Sequence, residues 1–246
     1  MIALAALFLA AAQADPPPDP RCPRGDLQTP RPPGTVCLGR LTRSYAFAFL
    51  YSAEAAREPA LARLLRAEAR RSEAWIARRG PDWLRERAED GGALHPLSYE
   101  EGWEVDAATP QLLAASATIM HYTGGAHGGI EFRAMLLDRR SGRRIALGDL
   151  FADRARGLAL VQQAFCRALT AAVGERRGEG ERRPDCPNVT EQPVSLAAEN
   201  GRITAFYAML GPYVVGSYAE GPYEFSIPVG AGMIGLIKPR YRAAFN

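Results

Sequence analysis

At 246 residues the chain is long enough for one large domain or two small ones, and its 47% hydrophobic and 23% charged content is ordinary for a globular protein. The net charge is only +3, and every basic residue except Lys238 is an arginine. The bases are scattered or mixed with acids, as in Glu175 to Arg183, with no aromatic-interleaved basic stripe. That argues against nucleic acid as a partner and for a solvated loop at this charge run.

Ile2 to Ala12 is a short apolar run that ends at Ala12-Gln13-Ala14, an A-x-A cleavage pattern. It predicts a signal peptide over residues 1–14, cut before Asp15, although nothing basic precedes Arg21. The run is shorter than the ~20 residues of a membrane span, and no span is expected in the mature chain. Residues 15–40 are rich in proline and without apolar period, which reads as an extended arm. Cys22, Cys37, Cys166 and Cys186 fit an oxidising compartment after export, periplasmic or secreted. Four cysteines allow three pairings. Cys22–Cys37 and Cys166–Cys186 are favoured because each closes a short local loop. No Cys/His spacing suggests zinc, and no cofactor is expected.

Leu41 to Ser52 places Tyr45, Phe47, Phe49 and Tyr51 on one face, the period of a half-buried strand. Pro59 opens an amphipathic helix that carries Leu61, Leu64, Leu65, Ala69, Trp75 and Ile76 and is expected to end at Gly80-Pro81. Asp82 then caps a shorter helix, Trp83 to Ala88. Leu97 to Val105 is strand-like but acidic, with Glu100, Glu101 and Glu104, and reads as a charged sheet edge.

Gln111 to Tyr122 leads into His121-Tyr122-Thr123-Gly124-Gly125-Ala126-His127-Gly128-Gly129, whose start overlaps the strand-like run Thr118 to Tyr122 and which the strand Ile130 to Asp138 follows. A hairpin turn at Arg139 to Gly142 returns the chain through Arg143 to Leu147. Asp153 caps a second main helix, with Leu158, Val161, Phe165, Leu169 and Ala172 on one stripe. Val194 to Ala198 and Ile203 to Leu210 form a hairpin around Asn200-Gly201. A loop rich in glycine and tyrosine follows, then a last strand from Tyr223 to Val229 and a short helix stopped by Pro239. The predicted fold is α+β: a mainly antiparallel sheet with two main amphipathic helices packed on it, in a single domain over residues 41–246.

Two places carry candidate chemistry. His127 and Asp149 lie beside one hairpin, and with His121 they suggest a metal site or an acid–base pair. No H-x-x-x-H spacing supports a metal, and the flanking glycines are explained by turn geometry. A structural histidine and a capping Asp149 are therefore the favoured readings. Serine hydrolysis lacks its G-x-S-x-G elbow, and the thiols are expected to be oxidised. The second place is the loop with Pro212, Tyr213, Tyr218 and Tyr223. Loop tyrosines give large contact area at low entropic cost, so this is the better binding candidate.

Tyr122-x-Gly-Gly-Ala-His-Gly128, then a strand, Ser141-Gly142 and Leu147-x-Asp149-Leu150-Phe151, resembles the RsiV-like family, domain of unknown function 3298. Phe206-Tyr207, Pro212-Tyr213, Tyr218-Ala219 and Gly221 resemble that family's closing block. The Tyr45 to Ile76 segment resembles the companion module that often precedes it, which divides the domain into residues 41–110 and 111–246. The resemblance implies an extracytoplasmic binding domain, because one member is the outer part of an anti-sigma factor that binds lysozyme. Another member sits beside a peptidoglycan deacetylase domain. Lysozyme-like hydrolases and peptidoglycan are thus the implied ligands. The enzymatic alternative is an envelope hydrolase that acts on cell-wall glycan or peptide through His127 and Asp149.

Overall fold

A computed structural model describes Cys22 and residues 32–92, 94–124, 127–178 and 185–245. The expected signal peptide and nearly all of the arm up to residue 31 lie outside these residues, as do Gly125, Ala126 and residues 179–184. The chain forms β1 (Val36–Leu41), β2 (Tyr45–Tyr51), α1 (Ala53–Arg57), α2 (Pro59–Glu89), β3 (Leu97–Ala108), β4 (Leu112–Tyr122), β5 (Gly129–Asp138) and β6 (Arg143–Ile145). It continues with α3 (Arg154–Arg177), β7 (Val194–Glu199), β8 (Arg202–Leu210), β9 (Tyr223–Pro228), α4 (Ala231–Leu236) and α5 (Pro239–Arg242). The α+β expectation holds, but the strands form two sheets. One has six strands in the order β1-β2-β3-β4-β5-β6, and the other has three, β7-β8-β9. All pairings are antiparallel except β2 with β3, which are joined through α1 and α2.

The period of two explains how one sheet supports two cores. Leu113, Ala115, Ala117 and Ile119 of β4 face α2, together with Phe47, Phe49, Tyr99 and Trp103. The alternate residues Leu112 and Ala114 face the other way, where Val161, Phe165 and Leu169 of α3 meet Leu196, Phe206 and Ile227 of the small sheet. The aromatic stripe of β2 is therefore core, as its alternation predicts. Strand β1 was not expected: it begins within the proline-rich arm, where Cys37 bonds Cys22 with Cα atoms 6.0 Å apart. Cys166 and Cys186 form the second disulfide, Cα atoms 5.6 Å apart.

Four expectations need correction. Helix α2 does not end at Gly80-Pro81 but runs unbroken to Glu89. Pro81 removes one helical hydrogen bond, at about 3 kcal/mol, and packing outweighs it. Ile76 is wholly buried, and the Trp83 indole N–H donates to the His95 carbonyl at 3.2 Å. Asp82 is accordingly no cap but pairs with Arg85 inside the helix at 2.7 Å. Pro239 likewise does not merely stop a helix; it occupies the first turn of α5. Most consequential, β3 is not a charged edge. It lies between β2 and β4, and Glu100 and Glu101 are 4% and 0% exposed.

Candidate functional site

Two glycines of the His121–Gly129 motif, Gly124 and Gly129, are explained by close approach. Gly124 has φ +95, and a Cβ there would meet the Trp83 ring at 2.0 Å. A Cβ on Gly129 would meet the His121 ring at 2.4 Å. The indole thus packs against Gly124 and the imidazole against Gly129, where only glycine leaves them room.

This connection delivers His127 to the tyrosine loop. The His127 ring stacks on Tyr218 with centroids 3.7 Å apart and 19° between planes. Tyr213 completes the group, 6.5 Å from His127 and 6.1 Å from Tyr218. His127 Nδ1–H donates to the Gly128 carbonyl at 2.8 Å, which leaves Nε2 to accept from the Tyr213 hydroxyl at 3.3 Å. His127 is exposed and Tyr213 is 67% exposed. Tyr213 also has φ +70, a left-handed conformation that costs a non-glycine residue about 1–3 kcal/mol.

Helix α3 holds this loop in place. Arg176 donates to the carbonyls of Glu220 and Pro222, both at 2.8 Å. Arg177 donates to both carboxylate oxygens of Glu220, at 2.7 and 2.9 Å, and to the Val215 carbonyl at 2.9 Å. The Arg177 guanidinium, with the Tyr223 hydroxyl, holds the Glu220 carboxyl below the usual carboxylate range. Tyr223, expected on the binding surface, is instead 1% exposed, with Arg176 over its ring at 4.0 Å and its hydroxyl on Glu220. Burial pushes its phenol up. It anchors the loop and presents no surface. Pro212 is half-buried at the base, and Val214, 42% exposed, lies beside Tyr213.

Asp149 lies elsewhere. Its carboxylate accepts from the Ala146 N–H at 2.9 Å and pairs with Arg154 at 3.1 Å, in the 3-10 turn Leu147–Leu150 ahead of α3. Its partners are at the foot of α3, whereas those of His127 are Gly128 and the tyrosine loop. Among the described residues no group of His, Cys, Asp or Glu is placed to hold a metal ion.

A second constellation was missed by sequence reasoning. Glu101 accepts from Ser72 Oγ at 2.9 Å, Tyr99 Oη at 2.6 Å, Trp103 Nε1 at 2.8 Å and Arg133 Nη1 at 3.1 Å. Arg133 Nη1 also donates to Glu68 at 2.7 Å. Burial raises the Tyr99 phenol, and the neighbouring Glu101 carboxylate raises it further. The available signal was the period of β3: Glu101 shares a face with Tyr99 and Trp103, so it follows them into the core.

The architecture is that of an α+β protein built on one large and one small sheet. Solved proteins share it. The chain aligns with a domain of unknown function 3298 family protein from Bacteroides fragilis at 16% identity and TM-score 0.53, over 84% of this chain and 93% of that one. It aligns with a protein of the same family from Pseudomonas aeruginosa at 19% identity and TM-score 0.50, over 86% and 96%. The fold is therefore that of the domain of unknown function 3298 proteins. No protein-family model and no curated protein matches the sequence.

Proposed function

We propose that the chain is an exported, non-catalytic binding domain of the RsiV-like family, acting as one unit over residues 41–246 in the cell envelope. The observation that carries this reading is the exposed His127 stacked on half-buried Tyr218, with exposed Tyr213 beside them. Tyr213 is held in a strained conformation in a loop that α3 pins at Val215, Glu220 and Pro222. A rigid aromatic cluster presents contact area without ordering cost on binding, which is how recognition loops work. Strain kept at an exposed tyrosine further supports a role in contact.

The motif resemblance supports a lysozyme-like hydrolase or peptidoglycan as the ligand. The net charge of +3 gives no steering toward a cationic lysozyme, so packing of Tyr213 and Tyr218 would have to carry that affinity. Two disulfides fit a periplasmic or secreted location, in keeping with the signal peptide read at residues 1–14. Among the described residues no helix is long and apolar enough to cross a membrane. The test is titration calorimetry of the mature chain against lysozymes and purified peptidoglycan. Saturable heat with either supports the reading, and silence with both defeats it.

A further inference from the structure

A cleft of about 580 Å³ opens between α2 and the face of β3, β4 and β5, apart from the tyrosine loop. The sequence builds it from two periodicities. Glu68, Ser72, Trp75 and Arg79 recur along α2 at helical spacing. Across from them, the register sets Tyr99 beside His121, Glu101 beside Ile119 and Glu131, and Trp103 beside Ala117 and Arg133, all on one face.

The floor is fixed by Glu101. A carboxylate with no exposure is costly, and a pair of this kind seldom stabilises a fold more than apolar packing would. What it accomplishes here is placement. Glu101 and Glu68 hold Arg133 through Nη1 alone, and its side chain remains 38% exposed at the cleft. Its Nη2 and Nε make no hydrogen bond among the described residues, which leaves an edge of the fork suited to donating two parallel bonds to a carboxylate. Trp75, 38% exposed, forms one wall against Tyr99, with Arg79 over the indole at 5.6 Å. His121, Thr123 and Glu131 line the remainder with donors and acceptors.

The geometry points to a binding site for a carboxylate-bearing sugar: the acid on Arg133, a ring face on Trp75, and hydroxyls on His121, Thr123 and Glu131. This site is independent of the tyrosine loop and does not rest on its reading. A neutral sugar would leave the Arg133 fork unmatched, and an aliphatic acid would leave Trp75 uncovered.

The test is a titration of the isotope-labelled mature chain with glucuronate and with glucose, followed by amide and indole resonances. Glucuronate should produce saturable shifts at Trp75 and around Arg133, and glucose should bind at least about tenfold more weakly. Arg133→Lys retains the charge opposite Glu101, so the fold is kept, but it loses the fork; it should weaken glucuronate about tenfold or more. Trp75→Ala, at an exposed helix position, should do the same, while Tyr213→Ala should leave glucuronate binding unchanged. Absence of saturable shifts, equal binding of glucose, or unaltered affinity in both cleft variants at preserved melting temperature would each overturn the assignment.

Discussion

Replacing Asp106 by asparagine should stabilise the protein at neutral pH. Asp106 is the extra residue of a bulge in β3, where the register with β4 shifts between Val105 and Ala107. The bulge turns its carboxylate toward the small sheet. There it accepts from Ser116 Oγ of β4 at 2.8 Å and from Ser195 Oγ of β7. Burial pushes the Asp106 carboxyl from 3.8 up to about 6; the two serine hydroxyls oppose this and Glu104 adds to it.

The sign follows from proton linkage. The folded state holds the proton more tightly than the unfolded chain, so the contribution of the neutral acid is fully present below 3.8 and is lost as pH rises through about 6. That rise corresponds to a charge penalty of up to about 3 kcal/mol at neutral pH. Asp106→Asn removes the charge and keeps the shape: the amide oxygen accepts from Ser116, and the amide nitrogen donates to Ser195. Urea unfolding at pH 7.5 should show the variant more stable by about 1–3 kcal/mol, with the gap closing at pH 4.5. A variant less stable than the wild type by the same amount at both pH values would refute the reasoning, because Asp106 would then act through its hydrogen bonds and not through a penalised charge.

Other outcomes follow from the same packing. Glu101→Gln leaves Arg133 with a weakened partner in the α2-facing core and should cost about 3 kcal/mol in chemical unfolding; a loss below about 1 kcal/mol would show that Glu68 alone suffices. Gly157→Ala places a Cβ 2.2 Å from the buried Phe151 ring and should destabilise by about 1–3 kcal/mol, read as a lower melting temperature. Replacing Cys166 and Cys186 together by serine opens a loop with a sequence separation of 20 and should cost about 3 kcal/mol, measured against the wild type without reductant.

Much of the fold was legible because local signals and tertiary packing agree. The alternation of Tyr45 to Tyr51, the strands flanking the glycine motif, the Asn200-Gly201 hairpin and the stripe of α3 each obey one period, and each element formed where that period put it. Failures came where a local rule met a stronger distant contact. Gly80-Pro81 reads as a stop, but Trp83 has a place to pack only if the helix continues. Glu101 reads as solvent-facing, because a single sequence does not show that Ser72 and Arg133, 29 and 32 residues away in the chain, will meet it. The candidate surface was half legible. The tyrosine loop stood out by composition, yet the stacking of His127 on Tyr218 needs two loops brought together by different sheets. Tyr223 could not be told from Tyr213 by residue type; burial separates them.

The central claim is that Tyr213 and Tyr218 form the contact surface for an envelope ligand. Its most direct measurement is the affinity of the Tyr213→Ala, Tyr218→Ala double variant for whichever of lysozyme or peptidoglycan the wild type binds. Both side chains lie outside the core, so the melting temperature should stay near that of the wild type. The account predicts that affinity falls by about 100-fold, the loss of two aromatic anchors. Unchanged affinity with an intact fold would contradict it.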